Sequence, residues 1–517
     1  MALLAGLDVG TSSVKGLLVS SDDGEVVARA EVPHPLSTPR PGWAEQDPED
    51  WWAGAQAVLA ELGRAGPIAG LGLSGQMHGL VALDARGRVL RPAILWNDGR
   101  TGAECAEIEQ RIGLEALIAQ TGNRALPGFT APKMRWLARH EPDVYGQIAH
   151  VLLPKDYVRL RLCGEHVTDV ADASGTLLFD VARRRWSDAV MQALEVDPAW
   201  LPRALESPQV SGVTADGVPV AAGAGDQAAG ALGVGVDRPG PVSVVLGTSG
   251  VVFAASDSFA ADATARVHAF CHAVPGAWHS MGVMLSAAGS LRWLRDVAAP
   301  GLPFAALVAE ASAWDPGVEG LTFLPYLAGE RTPHADPDTR GAFIGLSLRH
   351  DRGALVRAVL EGVAFGLRDG LDLVAQTTSP PARPALARVS GGGAPSARPP
   401  RPARGRVSGG GAPRPLPPRP ALGRVSGGGA RSALWLAILA SVLELPLQRT
   451  AVDEGASFGA ALLGGVAAGV FADVHAAVAT CVRPGEIVEP VPGWIEPYRA
   501  TRERFVALYP ALRAVGP

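Results

Sequence analysis

A chain of 517 residues is longer than one hydrophobic core normally supports, so two or more domains are expected. Its hydrophobic content of 47% suits a soluble globular protein, and a net charge of −5 gives no electrostatic footing on nucleic acid or an anionic membrane, so neither is an expected partner. The four cysteines, Cys105, Cys163, Cys271 and Cys481, are scattered without a Cys-x-x-Cys pair, which signals neither a zinc site nor a disulfide framework and fits a reducing, cytoplasmic setting.

In chain order, residues 3–9, 14–20 and 25–32 read as successive strands, apolar or β-branched, separated by turns at Gly10-Thr11-Ser12 and Asp22-Asp23-Gly24. This is strand–turn–strand rather than the strand–helix of a Walker loop. The N-terminus has no basic region and meets Asp8 early, which argues against a signal peptide. Asp47 caps a predicted helix whose first turn holds Pro48 and two acids, with Trp51 and Trp52 following as core. Residues 67–74 form a strand that ends at Ser74-Gly75-Gln76-Met77-His78-Gly79, and 80–84 form the next. Helices are predicted at 101–112, 130–140 and 189–196. A strand from Pro219 runs into Gly223-Ala224-Gly225-Asp226-Gln227, and residues 228–235 begin a helix of small side chains. The boundary between halves is placed near Val236 to Gly240, giving domains 1–238 and 239–517.

The second half opens like the first. Residues 241–255 are again two apolar runs around a Gly-Thr-Ser turn, Gly247-Thr248-Ser249. Helices follow at 284–297, 354–375 and 433–443, and the apolar stretch Phe458 to Ala472, too short to span a bilayer, reads as a buried helix. Between them Arg-Val-Ser-Gly-Gly-Gly-Ala occurs three times, at 388–394, 406–412 and 424–430, in a strict 18-residue step with Pro/Arg-rich spacers. Such a repeat cannot build a packed unit. The segment of about 388–423 is therefore read as an insertion of two extra copies or a fault of sequencing or assembly, with a proline-rich ligand as the weaker alternative, and residues 380–423 are not expected to order. Only the third copy continues into an amphipathic helix, so Gly427-Gly428-Gly429-Ala430 is taken as the working loop.

Each Gly-Thr-Ser turn aims backbone N–H groups and two hydroxyls (Thr11 and Ser12 in the first, Thr248 and Ser249 in the second) at one point, which suits a phosphate. Asp8, just before the first turn, is a natural ligand for Mg²⁺ or its waters. The glycines 427–429 sit between a short strand and a helix N-terminus, a second cradle for negative or polar groups. Asp226 stands among glycines with almost no other charge nearby; it is either a helix N-cap or a general base for a substrate hydroxyl. Met77-His78, flanked by Gly75 and Gly79, is either structural or a contact to a polyol, with His78 donating to a hydroxyl and Met77 as a soft wall. Gly329-Glu330-Arg331-Thr332-Pro333-His334 is a dense polar turn, structural or near a cleft. Only Lys15, Lys133 and Lys155 are lysines among 46 basic residues, which marks either three places where a compact ammonium is needed or chance retention against an arginine-favouring codon bias.

These pieces together resemble the FGGY carbohydrate kinase family, on the fold shared with actin, hexokinase and the Hsp70 ATPase. The matching segments are Asp8 to Lys15, Phe129-Thr-Ala-Pro-Lys-Met-Arg-Trp136, Gly225-Asp-Gln-Ala-Ala-Gly230, Gly247-Thr-Ser-Gly250, and Gly341 to Leu346 continuing to Arg357-Ala-Val-Leu-Glu361, over about residues 4 to 470. Within the family, Ser74 to Gly79, Arg91 to Arg100, Leu153-Pro-Lys-Asp-Tyr157 and Gly329 to His334 resemble members that phosphorylate D-xylulose at its 5-hydroxyl rather than glycerol kinases. The resemblance implies two α/β domains of the actin/hexokinase, ribonuclease H-like kind, each with a mixed five-stranded sheet, flanking an inter-domain cleft. It implies Asp226 as proton acceptor and Asp8 as the acid near metal and phosphates. Met77, His78, Asp226 and Gln227 would meet the sugar; Thr11, Ser12, Gly247, Thr248, Gly428, Gly429 and Ala430 would hold ATP, with Mg²⁺ as its companion. The triplicated segment departs from the family pattern at the ATP loop itself. A kinase for ribulose, gluconate or glycerol, or a non-sugar ATPase of the same fold, are the alternatives; a homodimer is left open.

Overall fold

A computed structural model describes residues 1–378, 420–452 and 454–514. The first two copies of the repeat, and most of the segment 380–423 that was not expected to order, lie outside the described residues.

The N-terminal sheet is built from β1 (Leu3–Val9), β2 (Ser13–Ser20), β3 (Val26–Pro33), β4 (Ile68–Gly75), β5 (Val210–Val213) and β6 (Pro219–Ala221), in the spatial order β5-β6-β4-β1-β2-β3. A two-residue strand, Ala224–Gly225, adds a seventh member beside β4. Helix α1 (Pro48–Ala65) covers one face. Asp47 starts it as the sequence predicts, its carboxylate accepting the Glu49 N–H at 3.0 Å, and Trp51, Val58 and Leu62 are buried beneath it. Further along lie α2 (Thr130–His140), α3 (Pro154–Cys163) and α4 (Asp226–Gly233).

The C-terminal sheet comprises β7 (Val242–Leu246), β8 (Gly250–Ser256), β9 (His268–Cys271), β10 (Trp278–Met284), β11 (Gly423–Ser426), β12 (Leu447–Thr450) and β13 (Pro484–Val488), ordered β9-β10-β8-β7-β11-β12-β13. Its helices include α5 (Ala288–Ala298), α6 (Arg352–Thr378), α7 (Ala433–Leu443) and α8 (Gly455–Ala467).

The two sheets share one plan. In the run β3-β2-β1-β4-β6 the ladders are antiparallel, antiparallel, parallel, parallel; β10-β8-β7-β11-β12 repeats that series. These are the mixed five-stranded sheets expected, each carrying two further strands. In both, a Gly-Thr-Ser hairpin joins the first two antiparallel strands, and the first parallel neighbour ends beside it. That places both turns at the carboxyl ends of parallel strands, where α/β sheets open a crevice.

The apolar stretch near Phe458 is a buried helix, α8, and its position ties the halves together. It lies on the face of the N-terminal sheet opposite α1. A Cβ on Gly6 would fall 1.9 Å from the Ser457 carbonyl oxygen, and one on Gly72 1.8 Å from that of Ala460. It also crosses α4 at backbone contact: a Cβ on Gly459 would lie 1.9 Å from the Ala229 oxygen, and one on Gly233 2.1 Å from that of Gly455. Among the described residues no helix is long and apolar enough to cross a membrane.

Candidate active site

Strand register assembles the acidic pair. In the parallel ladders Asp8 of β1 stands opposite Ser74 of β4, and Ala224 stands opposite Ser74 from the other side. The chain then turns at Gly225 and delivers Asp226 beside Asp8. Ser74 Oγ donates to Asp8 Oδ1 at 3.1 Å. Gly225 is the N-cap of α4 and Asp226 its first residue, so the capping alternative is not realised. Both acids face a cavity of about 700 Å³ between the lobes, lined from one side by Asp8, Lys15, Asp226 and Gln227 and from the other by Ser243, Gly427 and Gly428. Burial, and then the neighbouring Asp8, push the Asp226 carboxyl up to about 7. Burial raises Asp8 as well, against the hydrogen bond from Ser74 and the charge of Lys15.

Met77 and His78 approach from the turn after β4. Gly225 is in contact with Met77, since a Cβ there would lie 2.7 Å from Met77 Cγ, which places the thioether one residue from Asp226. His78 takes a left-handed backbone (φ 70°), and its carbonyl accepts from Lys133 Nζ at 2.8 Å and Thr130 Oγ1 at 3.0 Å. Its ring Nδ1 lies 2.6 Å from the Gly175 carbonyl oxygen. A carbonyl only accepts, so Nδ1 carries the proton. Burial holds the imidazole down to about 3, hence neutral, and Nε2 presents a bare lone pair. His78 therefore offers an acceptor where the sequence reading expects a donor: the proton is spent on Gly175.

A second cavity of about 790 Å³ extends into the C-terminal lobe, lined by Gly247, Thr248, Gly429, Arg292, Phe304 and Trp435 among others; Gly428 and Arg431 line both cavities and join them. Gly427 has φ +91° and its missing side chain admits the Leu246 carbonyl, while a Cβ on Gly428 would meet nothing within 4 Å. Three expected nucleotide contacts are placed differently. Ala430 is 6% exposed and packs into the C-terminal core. Thr11 and Ser12 line neither cavity; the Thr11 hydroxyl donates to Gln76 Oε1 at 3.2 Å and accepts from Trp96 Nε1 at 2.9 Å.

The three lysines occupy special places. Lys15 lines the cavity, 3.7 Å from Glu31. Lys133 is fully buried on the His78 and Gly128 carbonyls. Lys155 is fully buried among Asp156 (2.6 Å), Asp169 (2.6 Å) and Asp172 (3.2 Å). Burial works to lower its pKa, and the three carboxylates overcome that and raise it. Sequence reasoning missed Ser74, Glu31 and the Arg29–Glu454 ion pair (3.1 Å) that spans the lobes at the cavity. Ser74 was reachable from strand register; Glu454 was not, because nothing local in the sequence aligns it with β3.

The sequence matches the FGGY family of carbohydrate kinases, its N-terminal domain over residues 3–233 and its C-terminal domain over 242–401 and 423–468. It is 47% identical over 382 residues to a xylulose kinase of Escherichia coli (strain K12), covering 71% of this chain and 78% of that one. It is 40% identical over 524 residues to a xylulose kinase of Klebsiella pneumoniae, covering 99% and 97%. A solved structure of a xyloylose kinase from Brucella ovis superposes with a TM-score of 0.86 at 39% identity, covering 99% of this chain and 100% of the other.

Proposed function

The chain belongs to the FGGY family of carbohydrate kinases, and we propose that this member transfers the γ-phosphoryl group of ATP to the 5-hydroxyl of D-xylulose in the cytoplasm. The observation that carries the reading is the position of Asp226, next to Met77 and facing the cavity that runs on to the glycine loops of the other lobe. Residues 1–238 would bind the sugar and 239–517 the nucleotide.

The residues divide the work as phosphoryl transfer requires: positioning, charge neutralisation and removal of the hydroxyl proton. His78 Nε2 accepts from a sugar hydroxyl while Met77 walls the ring. Gln227 stands beside the reacting hydroxyl. Asp226, with its carboxyl near 7, is matched to taking a proton at neutral pH. Gly247, Thr248, Gly428 and Gly429 let the triphosphate lie against backbone, and Lys15 faces it from the first hairpin. Among the described residues no group of three or more acidic, histidine or cysteine side chains forms a metal cage. Asp8, one of the carboxylates lining this cavity, fits as a ligand to a Mg²⁺ ion that arrives on phosphates and keeps its waters. Bound there, the ion would neutralise charge developing on the phosphoryl oxygens.

A coupled assay of ADP formation tests this. D-Xylulose should stimulate ADP release far above the sugar-free rate, and above ribulose, gluconate or glycerol. ATP turnover indifferent to D-xylulose would refute it; stronger stimulation by another polyol would transfer the assignment to that substrate.

A further inference from the structure

The turn Gly329 to His334 belongs to the C-terminal lobe and is clamped to the edge of its sheet. Thr332 N–H donates to the Val283 carbonyl at 3.0 Å, and the Val283 N–H donates to Thr332 Oγ1 at 3.0 Å. Glu330 Oε1 accepts the N–H groups of Leu285 (3.0 Å) and Arg331 (2.8 Å). The backbone of Arg331 is thus fixed, and its side chain reaches His268 of β9. Among the described residues the guanidinium makes one hydrogen bond, to His268 Nε2 at 3.4 Å, and no ion pair with a carboxylate. Guanidinium carries five N–H donors; Arg331 is half-buried, feels the charge of the neighbouring Glu330, and among the described residues spends only one donor on a protein partner.

What lies beside it is the sugar end of the site. Asn123 Nδ2 donates to the carbonyls of Thr121 (2.8 Å) and Ala269 (3.1 Å), so its Oδ1 faces His268 Nδ1 at 2.7 Å as an acceptor. His268 therefore holds its proton on Nδ1 and accepts from Arg331. The His268 ring stacks on Phe270 (5.3 Å, 9°) and meets the edge of Phe129 (5.7 Å). Phe129 is the same ring that His78 contacts from the N-terminal lobe at 4.7 Å. One aromatic wall thus carries a bare acceptor, His78 Nε2, from one lobe and unused donors, Arg331, from the other.

We propose that Arg331 is a sugar-binding residue supplied by the C-terminal lobe, its guanidinium donating to a ketose oxygen held on the other side by His78. The assignment rests on the sugar-kinase reading above. A hydroxyl suits the pair because it gives its proton to His78 and receives one from Arg331. Bridged in this way, the substrate joins the two lobes directly, so sugar binding and nucleotide binding strengthen one another through closure.

The test compares wild type, Arg331→Met and Arg331→Lys. For Arg331→Met the KM for D-xylulose should rise at least tenfold, with a smaller fall in kcat and an unchanged melting temperature. The tightening of ATP by D-xylulose, read from KM for ATP at low and saturating sugar, should vanish. Arg331→Lys, which keeps charge and a donor, should recover part of both effects. Should Arg331→Met fail to melt cooperatively, Arg331→Gln and Arg331→Lys carry the same readouts. Wild-type KM and wild-type synergy in a folded variant would overturn the assignment alone. A wild-type enzyme that makes no ADP with D-xylulose overturns the sugar-kinase reading and this assignment with it.

Discussion

Replacing Asp226 by asparagine should make the protein more stable while disabling it. The carboxyl is lifted from 3.8 to about 7 by burial and by Asp8, so the folded state holds its proton more tightly than the unfolded chain does. Between those two values the wild type loses stability as pH rises, because ionising Asp226 in the folded protein is unfavourable. A shift of about three units at about 1.4 kcal/mol each sets an upper bound of about 4 kcal/mol above pH 7. Water in the cavity lowers it. With roughly 2 to 4 °C of melting temperature per kcal/mol for lobes of this size, Asp226→Asn should melt several degrees above wild type at pH 8. The advantage should shrink towards pH 4, where the carboxyl is protonated in the folded state. Over the same series kcat should fall by about 10²- to 10⁴-fold, the usual share of a general base. Thermal melts at pH 4.5, 6 and 8 beside the coupled assay decide it. A variant that gains nothing at pH 8 relative to pH 4.5, or turns over normally, refutes the reasoning.

The wild-type profile of kcat/KM should rise with unit slope to about pH 7 and then level, with no limb from His78, whose imidazole is neutral throughout that range. His78→Phe should raise KM for D-xylulose strongly and cost about 1–3 kcal/mol of stability, since the Gly175 carbonyl loses its donor; an unchanged KM would remove His78 from the sugar site. Gly428→Ala and Gly429→Ala should differ in kind. The first places its methyl in open cavity and should weaken ATP with the melting temperature intact, whereas the second drives a methyl to 2.5 Å from Leu246 Cγ and should destabilise the lobe; equal melting temperatures would contradict the packing. Lys155→Met leaves three fully buried carboxylates without their ammonium and should cost about 3–5 kcal/mol in a denaturant titration, unless the midpoint stays put.

Much of this was legible in the residues. The first two strands declare themselves because a polar turn punctuates continuous apolar runs, and continuous runs mean burial on both faces, here under α1 and α8, whereas β3 alternates half-buried and exposed residues. Asp226 stood out because it was the one charge in a glycine loop, and a glycine loop at a strand end is where a sheet opens. The sequence was silent wherever a partner arrives from far along the chain. The tautomer of His78 is fixed by a carbonyl 97 residues away. Thr11 was read as a phosphate ligand from its place in the Gly-Thr-Ser turn, and the structure pairs its hydroxyl with Gln76 and Trp96, neither of which lies in that turn. Ala430 follows three glycines, yet its methyl turns inward to the core. Arg331 sat in a turn too polar to interpret until β9 and His78 were seen against one wall.

The seat of α8 against the N-terminal sheet and α4 carries a last consequence. Gly6, Gly72, Gly233 and Gly459 hold nothing between one backbone and the next, so the spacing of the lobes is set by main-chain atoms touching main-chain atoms. A single added methyl at any of the four would wedge that seam, and because α4 begins with Asp226 the displacement would reach the reacting groups at once. Alignment of phosphoryl donor and acceptor across the cleft is thereby held to the tolerance of a van der Waals radius, at positions a survey of charged or polar side chains would pass over.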